Sequence, residues 1–169
     1  MNIAKKQKGF TIIEVVLVLA IAGLIFMMVF IAYPAVLRTT HDSARKTSLV
    51  KAKEAIASYA QNNRGNLPTL NDAFIASYLT HDGTDPFIDP SGANTQADPN
   101  ATTYKFTASG SGTTDALSGS FSSATNQNVI YYTTSAVCGN NGGDTVSAGN
   151  RMIALRMYLE GGGITCLNN

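Results

Sequence analysis

Hydrophobic and polar positions follow three successive patterns along the chain. From Val15 to Leu37 no residue carries a charge. A helix of that length spans roughly 35 Å, enough to cross a bilayer. Beyond Leu37 the apolar positions become one-sided. Leu49, Ala52, Ile56 and Tyr59 recur at steps of three and four, with Ala44, Ser48 and Ala55 alongside, which predicts an amphipathic stripe packed as core. Arg45, Lys46, Lys51, Lys53 and Glu54 fall on the other faces and are expected in solvent. One helix is therefore predicted from Phe10 to about Asn62, stopped by Gly65 and Pro68.

The third pattern alternates. Asn71 is placed to cap a short helix that runs to about Leu79 and presents Phe74, Ile75, Tyr78 and Leu79 on one face. Asp82-Gly83, Asp85-Pro86, Asp89-Pro90 and Ser91-Gly92 then mark consecutive turns. Strands are predicted at Thr103 to Ala108, Asn128 to Thr134 and Arg151 to Glu160, with Leu117 and Phe121 in a poorer fourth. In the clearest of them Ile153, Leu155, Met157 and Leu159 share one face, and Ala154, Arg156, Tyr158 and Glu160 the other. One face is expected to lie on the helix stripe. The predicted fold is α+β: a long N-terminal helix, transmembrane and then amphipathic, packed on a small antiparallel sheet of three or four strands.

Composition adds little to the fold and more to the chemistry. At 169 residues, 44% apolar and 14% charged, the chain suits one domain rather than a disordered or collagen-like polymer. The formal charge of +1 hides an asymmetry, because Lys5, Lys6 and Lys8 sit ahead of Gly9 and leave nine basic against eleven acidic residues behind it. No strong nucleic-acid site is expected from that balance. By the positive-inside rule the lysines hold the N-terminus in the cytoplasm and place everything after Leu37 outside. Cys138 and Cys166 are too far apart for a Cys-x-x-Cys motif. Outside the cytoplasm they form a structural disulfide; the alternative is two buried thiols.

Catalytic signals are absent. His41 and His81 have no metal-like spacing and read as solvated polar residues, and there is no phosphate-cradling Gly-rich loop, so the chain is expected to be neither an enzyme nor a motor. Asp82, Asp85 and Asp89 are close enough to attract Ca2+, but turn chemistry accounts for them equally, and no metal or other cofactor is expected. Asn100-Ala101-Thr102 is a sequon within the Ser/Thr/Gly/Asn-rich tract from Ser91 to Asn128, which reads as exposed loop.

The most informative residues are at the start. In a secretory signal the small residue follows the apolar run, whereas here Gly9 precedes it. A cut after Gly9 removes the lysines and leaves the membrane segment on the product. Glu14 lies within the apolar layer, where an ionised acid costs about 2.5–3.5 kcal/mol on insertion scales. It either reaches headgroup water or pairs with the α-amine freed on Phe10, in its own chain or a neighbour. Two charges about 4 Å apart attract by roughly 4 kcal/mol at an effective dielectric near 20, comparable to that cost.

Lys8-Gly9-Phe10-Thr11-Ile12-Ile13-Glu14 followed by an apolar helix resembles the N-terminus of type IV prepilins and pseudopilins. The likeness covers about the first fifty residues. It implies a prepilin peptidase/N-methyltransferase that cuts between Gly9 and Phe10 and methylates Phe10, with Glu14 steering assembly. It also implies a pilin fold: leader 1–9, assembly helix 10–37, amphipathic helix 38–64 and head 65–169. Its partners are identical and related pilin subunits, an assembly platform protein and its cytoplasmic ATPase. Gly23 and Pro34 bracket a stretch that melts in assembled members or simply kinks at the proline. The resemblance places the precursor in the membrane and the assembled subunit in an extracellular pilus for adhesion, motility or DNA uptake. Two rivals stand beside it: a pseudopilin of type II secretion, faintly suggested by Asp85-Pro86-Phe87, and an anchored domain that never polymerises.

Overall fold

The computed structural model describes residues 9–80, 87–91, 103–111, 117 and 128–169. The chain divides into two units, Met1–Leu37 and Arg38–Asn169. Helix α1 (Ile12–Asn62) contributes its apolar part to the first and its amphipathic part to the second. It ends in a left-handed cap, in which Arg64 and Gly65 both have positive φ and the Gly65 N–H donates to the Ala60 carbonyl at 2.7 Å. The Arg151 guanidinium lies over Gly65, where a Cβ would approach it to 3.3 Å. A cation at a helix C-terminus complements the dipole.

In the Arg38–Asn169 unit, the stripe of α1 is core. Leu49, Ala52 and Ile56 are fully buried, and Tyr59 packs at the margin. They meet Ile130, Ile153, Leu155 and Met157 from the sheet, with Leu70, Phe74, Ile75 and Leu79 completing the apolar cluster from a short helical pair. Asn71 caps α2 (Asp72–Phe74) by accepting the Phe74 N–H at 3.0 Å, and the chain continues directly into a π-helical turn, Ile75–Leu79.

The sheet has four strands in the order β1 (Lys105–Ser111), β2 (Val129–Thr134), β5 (Ile153–Tyr158), β6 (Ile164–Asn168), and a two-stranded ribbon pairs β3 (Ala136–Cys138) with β4 (Thr145–Ser147). β2–β5 and β5–β6 are antiparallel, but β1 and β2 run parallel, in register from Lys105 opposite Val129. The sheet is thus mostly antiparallel, as expected, with one parallel pair at its β1 edge. A parallel pair needs a crossover of about a dozen residues or more, and the stretch 112–128 is long enough to supply one. The Leu117 N–H donates to the Gly143 carbonyl at 3.0 Å, outside any strand; Phe121 lies outside the described residues.

Burial of β5 also departs from the one-sided expectation, since all six of its residues are buried. Ile153, Leu155 and Met157 face α1, while Arg156 on the opposite face donates to the Gly143 carbonyl at 2.6 Å and to Thr133 Oγ1 at 2.8 Å. Cys166 of β6 is opposite Arg156 in the ladder and therefore shares that second face. Its disulfide to Cys138, with Cα atoms 5.9 Å apart, ties the β3–β4 ribbon against β5 and β6.

Candidate processing and assembly segment

Gly9 and Phe10 are exposed and precede the first helical turn. Among the described residues, a Cβ on Gly9 would meet nothing within 4 Å. Phe10 is 89% exposed. The peptide bond joining them is therefore non-helical and open to an enzyme.

Thr11 and Glu14 form a reciprocal cap at the start of α1. Glu14 Oε2 accepts the Thr11 N–H at 2.8 Å and the Thr11 hydroxyl at 2.7 Å, while the Glu14 N–H reaches back to Thr11 Oγ1 at 3.4 Å. This capping box satisfies helix-terminal donors that have no intrahelical acceptor, and it sets the carboxylate against the positive end of the helix dipole. The Thr-x-x-Glu spacing ahead of an apolar run was the sequence signal for it, masked there by the more unusual feature of an acid in a membrane segment. Glu14 thus has a partner in its own chain one residue from Phe10.

Behind the cap, the helix is apolar on every side. Among the described residues α1 is the one helix long and apolar enough to cross a membrane, and none of that span is buried in the protein. The helix runs through both Gly23 and Pro34. Gly23 has open space where a Cβ would lie. Pro34 brings no N–H to the turn before it.

A second polar arrangement lies in the Arg38–Asn169 unit and overturns an expectation. Arg45, assigned to solvent from its place off the apolar stripe, is fully buried. Its guanidinium grips Asp89 with Nε–Oδ2 at 2.7 Å and Nη2–Oδ1 at 2.9 Å. Asp89 also accepts from the Tyr104 hydroxyl at 3.2 Å and from the backbone N–H and hydroxyl of Ser91. Arg45 Nη1 lies 3.3 Å from both Asp42 and Glu160. Asp42 in turn accepts the backbone N–H groups of Glu160 and Gly161 at 2.6 and 2.8 Å. Burial alone drives the Asp89 carboxyl upward, but hydrogen bonds from Arg45 and Ser91 outweigh it and hold it below the usual range. Burial and the adjacent Asp89 push the Tyr104 hydroxyl well above its ordinary value.

His41, expected free in solvent, is half-buried with Nδ1 2.8 Å from Glu160 Oε2. Asp82, Asp85, His81 and the sequon Asn100-Ala101-Thr102 lie outside the described residues. Among the described residues no three His, Cys, Asp or Glu side chains group as metal ligands, and both Asp89 oxygens accept from Arg45.

Residues 4–30 match a family model described as the prokaryotic N-terminal methylation motif. The N-terminus is a type IV prepilin-like leader. The leader together with the apolar run of α1 fits a membrane-anchored precursor. The match places Gly9, Phe10 and Glu14 inside the motif. No curated protein and no solved structure matches the chain.

Proposed function

We propose that the chain is the precursor of a structural subunit of a type IV pilus-like extracellular filament. A prepilin peptidase/N-methyltransferase cuts between Gly9 and Phe10 and methylates the new Phe10 amine. Glu14 then meets that amine in its own chain or a neighbour, and the apolar helices pack at the filament centre, driven by a platform protein and its cytoplasmic ATPase. In the assembled fibre the segment between Gly23 and Pro34 melts or the helix kinks at Pro34, and the head carries adhesion, motility or DNA uptake. The chain performs no catalysis.

One observation carries this reading: a methylation motif that runs directly into a helix whose apolar surface is left uncovered by the described residues. Lipid or a second helix must cover that surface.

The test replaces Glu14 with Ala and follows both steps. Edman sequencing of the wild-type fibre should begin at a methylated Phe10. The variant should be cut at the same bond, because the scissile pair is unchanged, and should yield far fewer fibres. Normal fibre yield would remove the charge-pairing step. Correctly cut protein held in the periplasm, with no surface fibre, would assign the chain to a secretion pseudopilus instead.

A further inference from the structure

We propose that the shallow cleft beside the π-helical turn of the Arg38–Asn169 unit binds a neutral sugar ring. The cleft, about 260 Å³, is floored by three aromatic rings. Phe74 and Tyr78 stack at 5.3 Å with an interplanar angle of 15°, and Tyr59 meets Tyr78 edge-on at 5.4 Å. Phe74 is buried, whereas Tyr59 and Tyr78 are half-buried. Thr69, Asn71 and Ser77 form a hydroxyl and amide rim at exposed positions.

Two properties select the ligand class. Among the described residues, none lining the cleft carries a formal charge, which disfavours phosphates, carboxylates and cations. Aromatic faces are electron-rich and attract the polarised C–H groups of a pyranose ring, while hydroxyl and amide groups suit its hydroxyls. The cleft volume is just below the range of drug-sized sites, which fits one ring rather than a large apolar ligand. A proline-rich peptide also favours aromatic grooves, but one turn of its helix extends about 9 Å and offers few hydroxyls to a rim of this kind.

The backbone at this place is also unusual. Directly after α2 the chain widens into a π turn, closed by the Thr80 N–H on the Ile75 carbonyl at 2.9 Å, and the turn carries Ser77 and Tyr78. Such turns are rare and recur at functional sites. The Asn71 side chain is held by the Phe74 N–H at 3.0 Å, so the rim is oriented before any ligand arrives. Neither leader cleavage nor filament assembly is required for binding here.

The experiment uses the full chain, 15N-labelled, in a detergent with no sugar headgroup. It is titrated with the methyl glycosides of glucose, galactose, mannose, N-acetylglucosamine, N-acetylgalactosamine and fucose. At least one should move the amides of Ser77, Tyr78 and Asn71 saturably, with a Kd of about 1–10 mM, as a ligand of this size allows. Tyr78→Ala should weaken that response about tenfold or more. Since Tyr78→Ala also loosens the aromatic cluster, Ser77→Arg serves beside it: the site is exposed, so the fold stays intact while the new side chain fills the cleft. A response that persists in folded Ser77→Arg, or no saturable response to any of the six glycosides, overturns the proposal. So does a proline-rich decapeptide that moves these amides when no glycoside does.

Discussion

Replacing Asp89 with Ala is expected to loosen the Arg38–Asn169 unit more than any single apolar contact at its surface. The wild-type pair is bidentate, and both side chains are fully buried, at 2.7 and 2.9 Å. Removing one partner of a buried pair costs about 3–5 kcal/mol, because the other charge has lost its counter-charge away from water. Arg45 retains Asp42 and Glu160 on Nη1 and Ser91 on Nη2, so Asp89→Ala should lie near 3 kcal/mol. Arg45→Met takes the guanidinium from Asp89 and leaves it the neutral donors Tyr104 and Ser91, and should lie near the upper end of that range. The double variant Arg45→Met/Asp89→Leu should lose less than the sum, by about 2 kcal/mol or more of coupling. Urea unfolding of the full chain in detergent, followed by tyrosine emission, measures each. Of the seven tyrosines only Tyr33 lies outside the Arg38–Asn169 unit, so the signal reports that unit and not the membrane helix. Losses below about 1 kcal/mol for both single variants, or strict additivity in the double, would refute the assignment of this pair as a buried lock.

Three further outcomes follow from the geometry. Thr11→Val removes the hydroxyl half of the capping box and should destabilise the first turn by about 0.5–2 kcal/mol, read as faster amide exchange at residues 12–15 in micelles, whereas Thr11→Ser should preserve it. Opening the disulfide with Cys138→Ser/Cys166→Ser should lower the unfolding free energy by about 3.5 kcal/mol for a 28-residue separation, and an unchanged urea midpoint would contradict that. Stability should also fall at both pH extremes. Asp89 has a folded pKa below its unfolded value, so its contribution is present above about pH 4 and is lost as pH drops through the lower folded value. Tyr104 and Tyr158 are pushed up by burial, so their contribution is present below about pH 10 and is lost as pH rises toward their folded values. Tyr104→Phe should shrink the alkaline loss while Tyr158 sustains the rest, and an identical alkaline profile in that variant would contradict the assignment.

Local signals in the chain determined a good deal of this protein. A charge-free run of membrane length, a stripe at three- and four-residue steps and the order lysine, glycine, apolar helix all arise from neighbours in sequence. For that reason α1 ends at the predicted Asn62, Leu49, Ala52 and Ile56 are core, and the leader was legible from Lys8 to Glu14. Asn71 was legible as a cap for the same reason, because capping spans three residues.

Tertiary structure alone decided what depends on distant partners. Arg45 reads as solvent-facing until Asp89, forty-four residues later, comes to its guanidinium. Arg156 looks like the polar side of a half-buried strand until the ribbon carrying Cys138 is drawn over that face through Cys166. The parallel pairing of β1 with β2 is a choice of chain direction across a long connection, and β3 and β4, three residues each, are too short to show a period. A charged side chain is costly to bury alone and tolerable when paired, so its position depends on where its counter-charge folds, and no local pattern carries that information.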